Sequence, residues 1–289
     1  MLPRLLAFPC IIGIAVFLYL AYTVDTSYGK YILPFIIGVW AAYIFEPQLN
    51  WWWYKRYPPD IDDQLRKMFE AKLPFYQKLS IENKTHFRQR IAMYMLANDF
   101  IPQGPETVPE DVKGFISANI IQLTFGQTDY RMPKFERMVV YPTPFLSPQY
   151  REYIHSSELF EEDGVLLFAI DHLMPGTMEA NRYYNIGLHE FARVFRLSYP
   201  EKKYPVFSES IWDDFAKLSG YTKAKIEKYI GLPDQDPWPV SVVLFFSFPA
   251  KFKKHLPELY KEISELLNLD LLRGENPVLD ESKVDRTLK

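Results

Sequence analysis

One short run in this 289-residue chain has residue types and spacing suited to chemistry: His189-Glu190-Phe191-Ala192-Arg193. On a helix, positions four apart lie on one face. Two histidines so placed can grip one zinc ion, while a glutamate directly after the first reaches the metal-bound water. Zinc lowers the pKa of that water to about 7, and the glutamate takes its proton. Here the first histidine and the glutamate are present, but arginine stands at the second ligand position. Arg193 removes a donor and adds a permanent cation on the same face. A zinc ion about 5 Å from a guanidinium would be repelled by several kcal/mol at an effective dielectric of about 20. His86, His155 and His255 have no such neighbours and read as packed or solvated residues. Cys10 is the only cysteine, which excludes an intramolecular disulfide and a cysteine-rich metal site.

The elements around this run are mostly helical. Residues 185–195 form the helix that carries the pair. Apolar residues recur with helical spacing over 61–73, through Leu65, Met68, Phe69 and Leu73, and over 86–97, through Phe87, Ile91, Tyr94 and Met95. Pro109, Glu110 and Asp111 open a third helix that runs to Leu123, as proline and acids suit a first turn. Further helices are expected over 208–218 and 256–267, and 238–248 is apolar on nearly all sides, so it reads as a buried helix. Residues 137–141 and 164–170 read as strands of a small sheet. The expected domain covers 58–272, opened by Pro58-Pro59-Asp60 and followed by an irregular polar tail over 273–289.

Residues 1–57 have a different character. The run 5–24 carries no charged side chain and is long enough, at about 1.5 Å per residue, to cross a hydrocarbon core roughly 30 Å thick. A second apolar run spans 31–45 and is followed by Trp51, Trp52 and Trp53, indoles that favour the membrane–water boundary. The expectation is a transmembrane helical hairpin. Arg4 precedes it, Lys55, Arg56, Arg66 and Lys67 follow it, and Lys30 is the only cation of the link, so both ends are expected in the cytoplasm. The net charge of −3 has no basic excess pointing to nucleic acid.

The segment Asn185-Ile186-Gly187-Leu188-His189-Glu190-Phe191-Ala192 resembles the zinc helix of the Mlc titration factor A family of zinc-dependent peptidases, whose motif continues with histidine. Three further stretches resemble that family in the same order. Tyr141-Pro142 with Phe145 is similar to its Tyr-Pro-x-x-Phe element. Gly164 through Gly176 is similar to its edge strand and following turn, with Ala169 and Ile170 where the family has Ser-Trp. Phe245-Phe246, Pro249 and Pro257-Glu258-Leu259-Tyr260 are similar to its final helices. The likeness covers roughly residues 65–271 and implies a zincin-like α+β domain, mostly helical with a small sheet.

The resemblance also implies site residues. His189 and an acid that falls on Asp236 would be zinc ligands, aspartate here where the family has glutamate. Glu190 would be the catalytic base, and Tyr229, seven residues before the acid, would assist the transition state. Another family glutamate falls on Val243. His172 is a possible substitute ligand, since Asp171-His172 lies near the edge strand in that fold. With Arg193 in the lost ligand position, its guanidinium is expected to pair with Asp236 or, failing that, with Glu190. The expected function is that of a membrane-anchored, catalytically degenerate relative, of the bacterial inner membrane, that binds a cytosolic protein or peptide partner along the edge strand. An active zinc peptidase with an altered ligand set, and a membrane assembly module, stand as alternatives.

Overall fold

The computed structural model of the protein describes residues 2–104, 106–147 and 152–286. The chain divides between Pro59 and Asp60 into two compact units.

The N-terminal unit is a helical hairpin. Helix α1 (Leu2–Thr23) is long and apolar enough to cross a membrane. A 3₁₀ turn (Thr26–Tyr31), capped by Asp25 accepting from the Ser27 amide at 2.7 Å, reverses the chain into α2 (Ile32–Ile44). The two helices lie in contact: the ring of Phe17 is 5.6 Å from that of Phe35, and a Cβ on Gly13 would strike the Phe35 ring at 2.4 Å. At 13 residues α2 rises only about 20 Å, short of a hydrocarbon core. The chain then bends by 65° into α3 (Glu46–Arg56), which carries the three tryptophans. The sequence signals an interface there but not a separate helix. Pro47 at its first turn suits a fresh helix start.

The second unit begins with α4 (Asp63–Lys72), α5 (Pro74–Gln77), α6 (Ile81–Ala97), β1 (Asp99–Pro102) and α7 (Glu110–Leu123). Strands β2 (Arg137–Tyr141), β3 (Phe145–Leu146), β4 (Ile154–His155), β5 (Ser157–Phe160) and β6 (Val165–Ala169) follow. Helices α8 (Ile170–Met178), α9 (Ile186–Ser198), α10 (Ile211–Ser219), α11 (Lys223–Ile230), α12 (Pro237–Ser247), α13 (Pro249–His255) and α14 (Pro257–Leu267) complete it. The architecture is α+β, mostly helical, as the sequence implies. Helix α12 is buried on every side from Trp238 to Phe245, which explains its unbroken apolar run.

The main sheet has the order β1-β2-β6-β5, with β1, β2 and β6 parallel and β5 antiparallel to β6. This corrects the expected edge. The strand from residue 165 is internal, and β5 is the edge beside it. Ser157, Glu158 and Leu159 of β5 are themselves buried, so this edge is covered and offers no open strand for a peptide to extend. Ser156, just before β5, donates its amide to the Ile230 carbonyl at the end of α11. The polar stretch after Arg273 packs onto the unit rather than trailing from it. Val278 and Val284 are buried, Val278 bridges to Leu269, and Arg286 reaches Asn83 at 3.0 Å. Its last three residues lie outside the described residues.

Candidate functional site

Helix α9 holds the candidate pair, and three contacts fix it. Its N-terminus is capped by Asn185, whose side chain accepts from the Leu188 amide at 3.0 Å and donates to Asn119 of α7 at 2.8 Å. Asn119 in turn donates to Thr177 of α8 at 2.9 Å. Glycine is required at 187 because a Cβ there would meet the Asn119 amide nitrogen at 2.5 Å. At the other end, the Trp238 indole donates to the Ala192 carbonyl at 2.9 Å and ties α12 to α9. The asparagine and the glycine of the sequence motif thus serve helix docking.

His189 is buried. Its Nδ1 lies 2.8 Å from the Tyr184 hydroxyl, and its Nε2 makes no hydrogen bond among the described residues. Burial, helped by the Arg193 cation, pushes the imidazole down to about 4, against the opposing pull of Glu190, Asp236 and the Gln235 side chain. His189 is therefore neutral at physiological pH. The Tyr184 hydroxyl is itself held protonated, its pKa raised by burial first and by nearby Glu190.

Glu190 is fully engaged. One carboxylate oxygen accepts from the Ser157 hydroxyl of β5 at 2.8 Å, and the other accepts from Arg193 at 3.0 Å. Arg193 also reaches Glu161 at 3.5 Å. The guanidinium bridges a fully buried carboxylate to a half-exposed one. Beside this group lies a second buried acid, Glu158, which accepts from Ser147 at 2.8 Å while its other oxygen has no partner among the described residues. Burial raises its pKa above the usual carboxyl value, and the nearby Glu190 adds to the rise.

Asp236 is not the partner of Arg193. It caps α12, accepting from the Trp238 amide at 2.8 Å, and its other oxygen pairs with Arg196. The crossing of α12 over α9 at Ala192 brings the arginine nearly one turn further along to this carboxylate. Of the two pairings the sequence allows for Arg193, the structure has the one with Glu190. Tyr229 sits on α11 with its ring 4.8 Å from His172 and 6.3 Å from Tyr184. Burial pushes its hydroxyl up to about 12, so it remains a donor. His172 bonds to Asp171 at 2.8 Å. The rings of His172, Tyr229, Tyr184 and His189 thus form a continuous row. Tyr184, Ser157, Glu161 and Arg196 had no motif to announce them. Ser157, Glu161 and Arg196 act across elements, where spacing along the chain gives no signal, and Tyr184 reaches His189 from the loop just before α9.

The donor set can be tested against zinc. A catalytic zinc takes three protein ligands and leaves one position open. Among the described residues of this site, His189 Nε2 makes no hydrogen bond by distance, although the Gln235 side chain lies close enough to act on the ring. Asp236 is committed to Arg196 and a helix cap, and a guanidinium holds the carboxylate beside His189. No group of three potential metal ligands exists among the described residues. The side chains present do not fit a catalytic zinc.

A cavity of about 400 Å³ lies beside Tyr184, which helps line it together with His172, Arg182, Lys225, Lys228 and Tyr229. Compared with known families, residues 49–267 match the family model of the glucose-regulated metallopeptidases M90. No curated protein matches the chain.

Proposed function

The chain belongs to the M90 family of glucose-regulated metallopeptidases, and from that membership we propose that it is a membrane-anchored, catalytically degenerate member that acts by binding a protein or peptide partner. The observation that carries this reading is the Arg193–Glu190 ion pair at 3.0 Å. In a zinc peptidase the second ligand position and the glutamate serve the metal and its water. Here a permanent cation from the ligand position neutralises the glutamate directly. Each oxygen of this carboxylate already has a partner, one the guanidinium and the other the Ser157 hydroxyl, so neither is left facing an open position where a metal-bound water would sit. The helix thus keeps its place in the fold while its polar residues satisfy one another.

The anchor in this reading is α1, with the 3₁₀ segment, α2 and the bent α3 together forming the returning span and the α3 tryptophans near the membrane interface. Arg4 before the hairpin and Lys55 and Arg56 after it favour both of its ends, and so the domain, on the cytoplasmic side. A second reading, an active enzyme with an altered ligand set, draws on the Nε2 of His189, which makes no hydrogen bond among the described residues. A buried nitrogen without a partner is costly and is a natural place for an added ligand.

The test is metal analysis of the full chain purified in detergent without chelator, beside hydrolysis of a chromogenic peptide amide. We expect well under one zinc per chain and no chelator-sensitive cleavage. One bound zinc per chain, together with cleavage abolished by Glu190→Gln, would overturn the degenerate reading in favour of the second.

A further inference from the structure

The cavity beside Tyr184 has a charge pattern that the helix chemistry does not use. Three fixed cations, Arg182, Lys225 and Lys228, line it, and among the described residues no carboxylate does. This stands out in a chain whose net charge is −3. Lys225 and Lys228 lie three residues apart on α11, both exposed. Lys225 reaches only the Gly220 carbonyl, at 3.2 Å, and Lys228 has no ion-pair partner among the described residues. Arg182 faces Glu179 at 3.6 Å, an exposed pair that an incoming carboxylate can exchange at little cost. The nearby Asp171 is already bonded to His172.

The rest of the lining is aromatic. Tyr221 stands edge-on to Tyr184 at 5.7 Å, and Tyr229 follows at 6.3 Å. Such rings give rigid apolar area with a hydroxyl at the tip, a composition suited to peptide recognition. Burial raises the pKa of Tyr221 and of Tyr229, so both hydroxyls donate at neutral pH. The volume of about 400 Å³ falls within the range of about 300–1,000 Å³ typical of ligand sites.

We infer that this cleft binds an acidic peptide segment, with its carboxylates on Arg182, Lys225 and Lys228 and its side chains against the tyrosine rings. The inference rests on the partner-binding reading and names the chemistry of the partner. The cations stand on two elements, the stretch after α8 and the exposed face of α11. That distribution matches carboxylates spaced along a chain rather than a single phosphate. Because the β5 edge is covered, this cleft recognises the peptide through side chains rather than by pairing with that strand.

The experiment uses the full chain in detergent and a fluorescein-labelled decaglutamate peptide, followed by anisotropy. A decaglutamine peptide is the neutral control. Decaglutamate should bind at least tenfold more tightly than decaglutamine and weaken as salt rises toward 0.5 M, roughly where the Debye length falls to a few ångströms. The double variant Lys225→Glu/Lys228→Glu should lose about tenfold or more in affinity, while Lys251→Glu/Lys254→Glu on α13 should bind as the unaltered chain does. Equal binding of both peptides, or unchanged affinity in the α11 variant, would overturn the inference. Full displacement of the peptide by a few millimolar inorganic phosphate would also overturn it, by assigning the cleft to a free anion. If the chain captures a protein partner by cross-linking but shows no preference for decaglutamate, the acidic-peptide inference fails and the partner-binding reading stands.

Discussion

Replacing Arg193 with alanine isolates the interaction that defines this site. Glu190 is 0% exposed and the Arg193 side chain 26% exposed, so the alanine variant leaves a buried carboxylate with Ser157 alone. Breaking a fully buried ion pair costs about 3–5 kcal/mol. The partial exposure of Arg193 admits some water, which lowers the expected loss to about 2–4 kcal/mol. A domain of this size loses roughly 2–4 °C in Tm per kcal/mol, so the fall should be about 5–15 °C. The mechanism is tested by removing both charges. Arg193→Met with Glu190→Gln keeps an acceptor for Ser157 and leaves no unpaired carboxylate, so it should recover to within about 1 kcal/mol of the unaltered chain. Thermal unfolding of the detergent-solubilised chain, read by tryptophan fluorescence, provides the numbers. A fall below about 1 °C for Arg193→Ala, or a double variant no more stable than the single one, would refute the idea that this pair neutralises a buried charge.

Four further outcomes follow from the same geometry. Arg193→His alone should not bind zinc tightly, because Arg196 still holds Asp236. Arg193→His/Arg196→Ala should gain zinc affinity by about tenfold or more in a competition titration, and equal affinities would show that Asp236 is no ligand. A chain truncated to start at Asp60 should be soluble and helical without detergent, since the unit from Asp60 has its own core; aggregation on gel filtration would contradict this. The raised pKa of Glu158 means that the folded state holds its proton more tightly than the unfolded one. Its favourable contribution is present below the usual value of 4.5 and lost as pH rises through the folded value, so Glu158→Gln should raise Tm more at about pH 8 than at about pH 4. A gain equal at both would remove burial of the charge as its cause. A reporter active only in the cytoplasm should function when fused after Lys289, and activity of an exported reporter there would reverse the proposed topology.

Much of the helical frame is legible from local pattern. The apolar spacing of Leu65 and Phe69, the prolines and acids before α7 and the continuous apolar run of α12 each report a neighbourhood a few residues wide. The hydrophobic α1 and the Asn185–Glu190 segment are of the same kind. Strand β5 was not legible. Its Ser-Glu-Leu-Phe has no β-branched residue and is only four residues long, so its strand form comes from pairing with β6. Helix α11 is not legible in the sequence either, because its lysines and short length mask the buried Ile226 and Ile230. The site divides along the same line. That Arg193 could reach Glu190, three residues away on one helix, is a local fact written in the sequence. That Arg196 rather than Arg193 meets Asp236, forty positions distant, is decided by where α12 crosses α9. The two arginines sit nearly one turn apart and carry the same charge, so only the packing of Trp238 against Ala192, and the helix crossing it enforces, tells them apart.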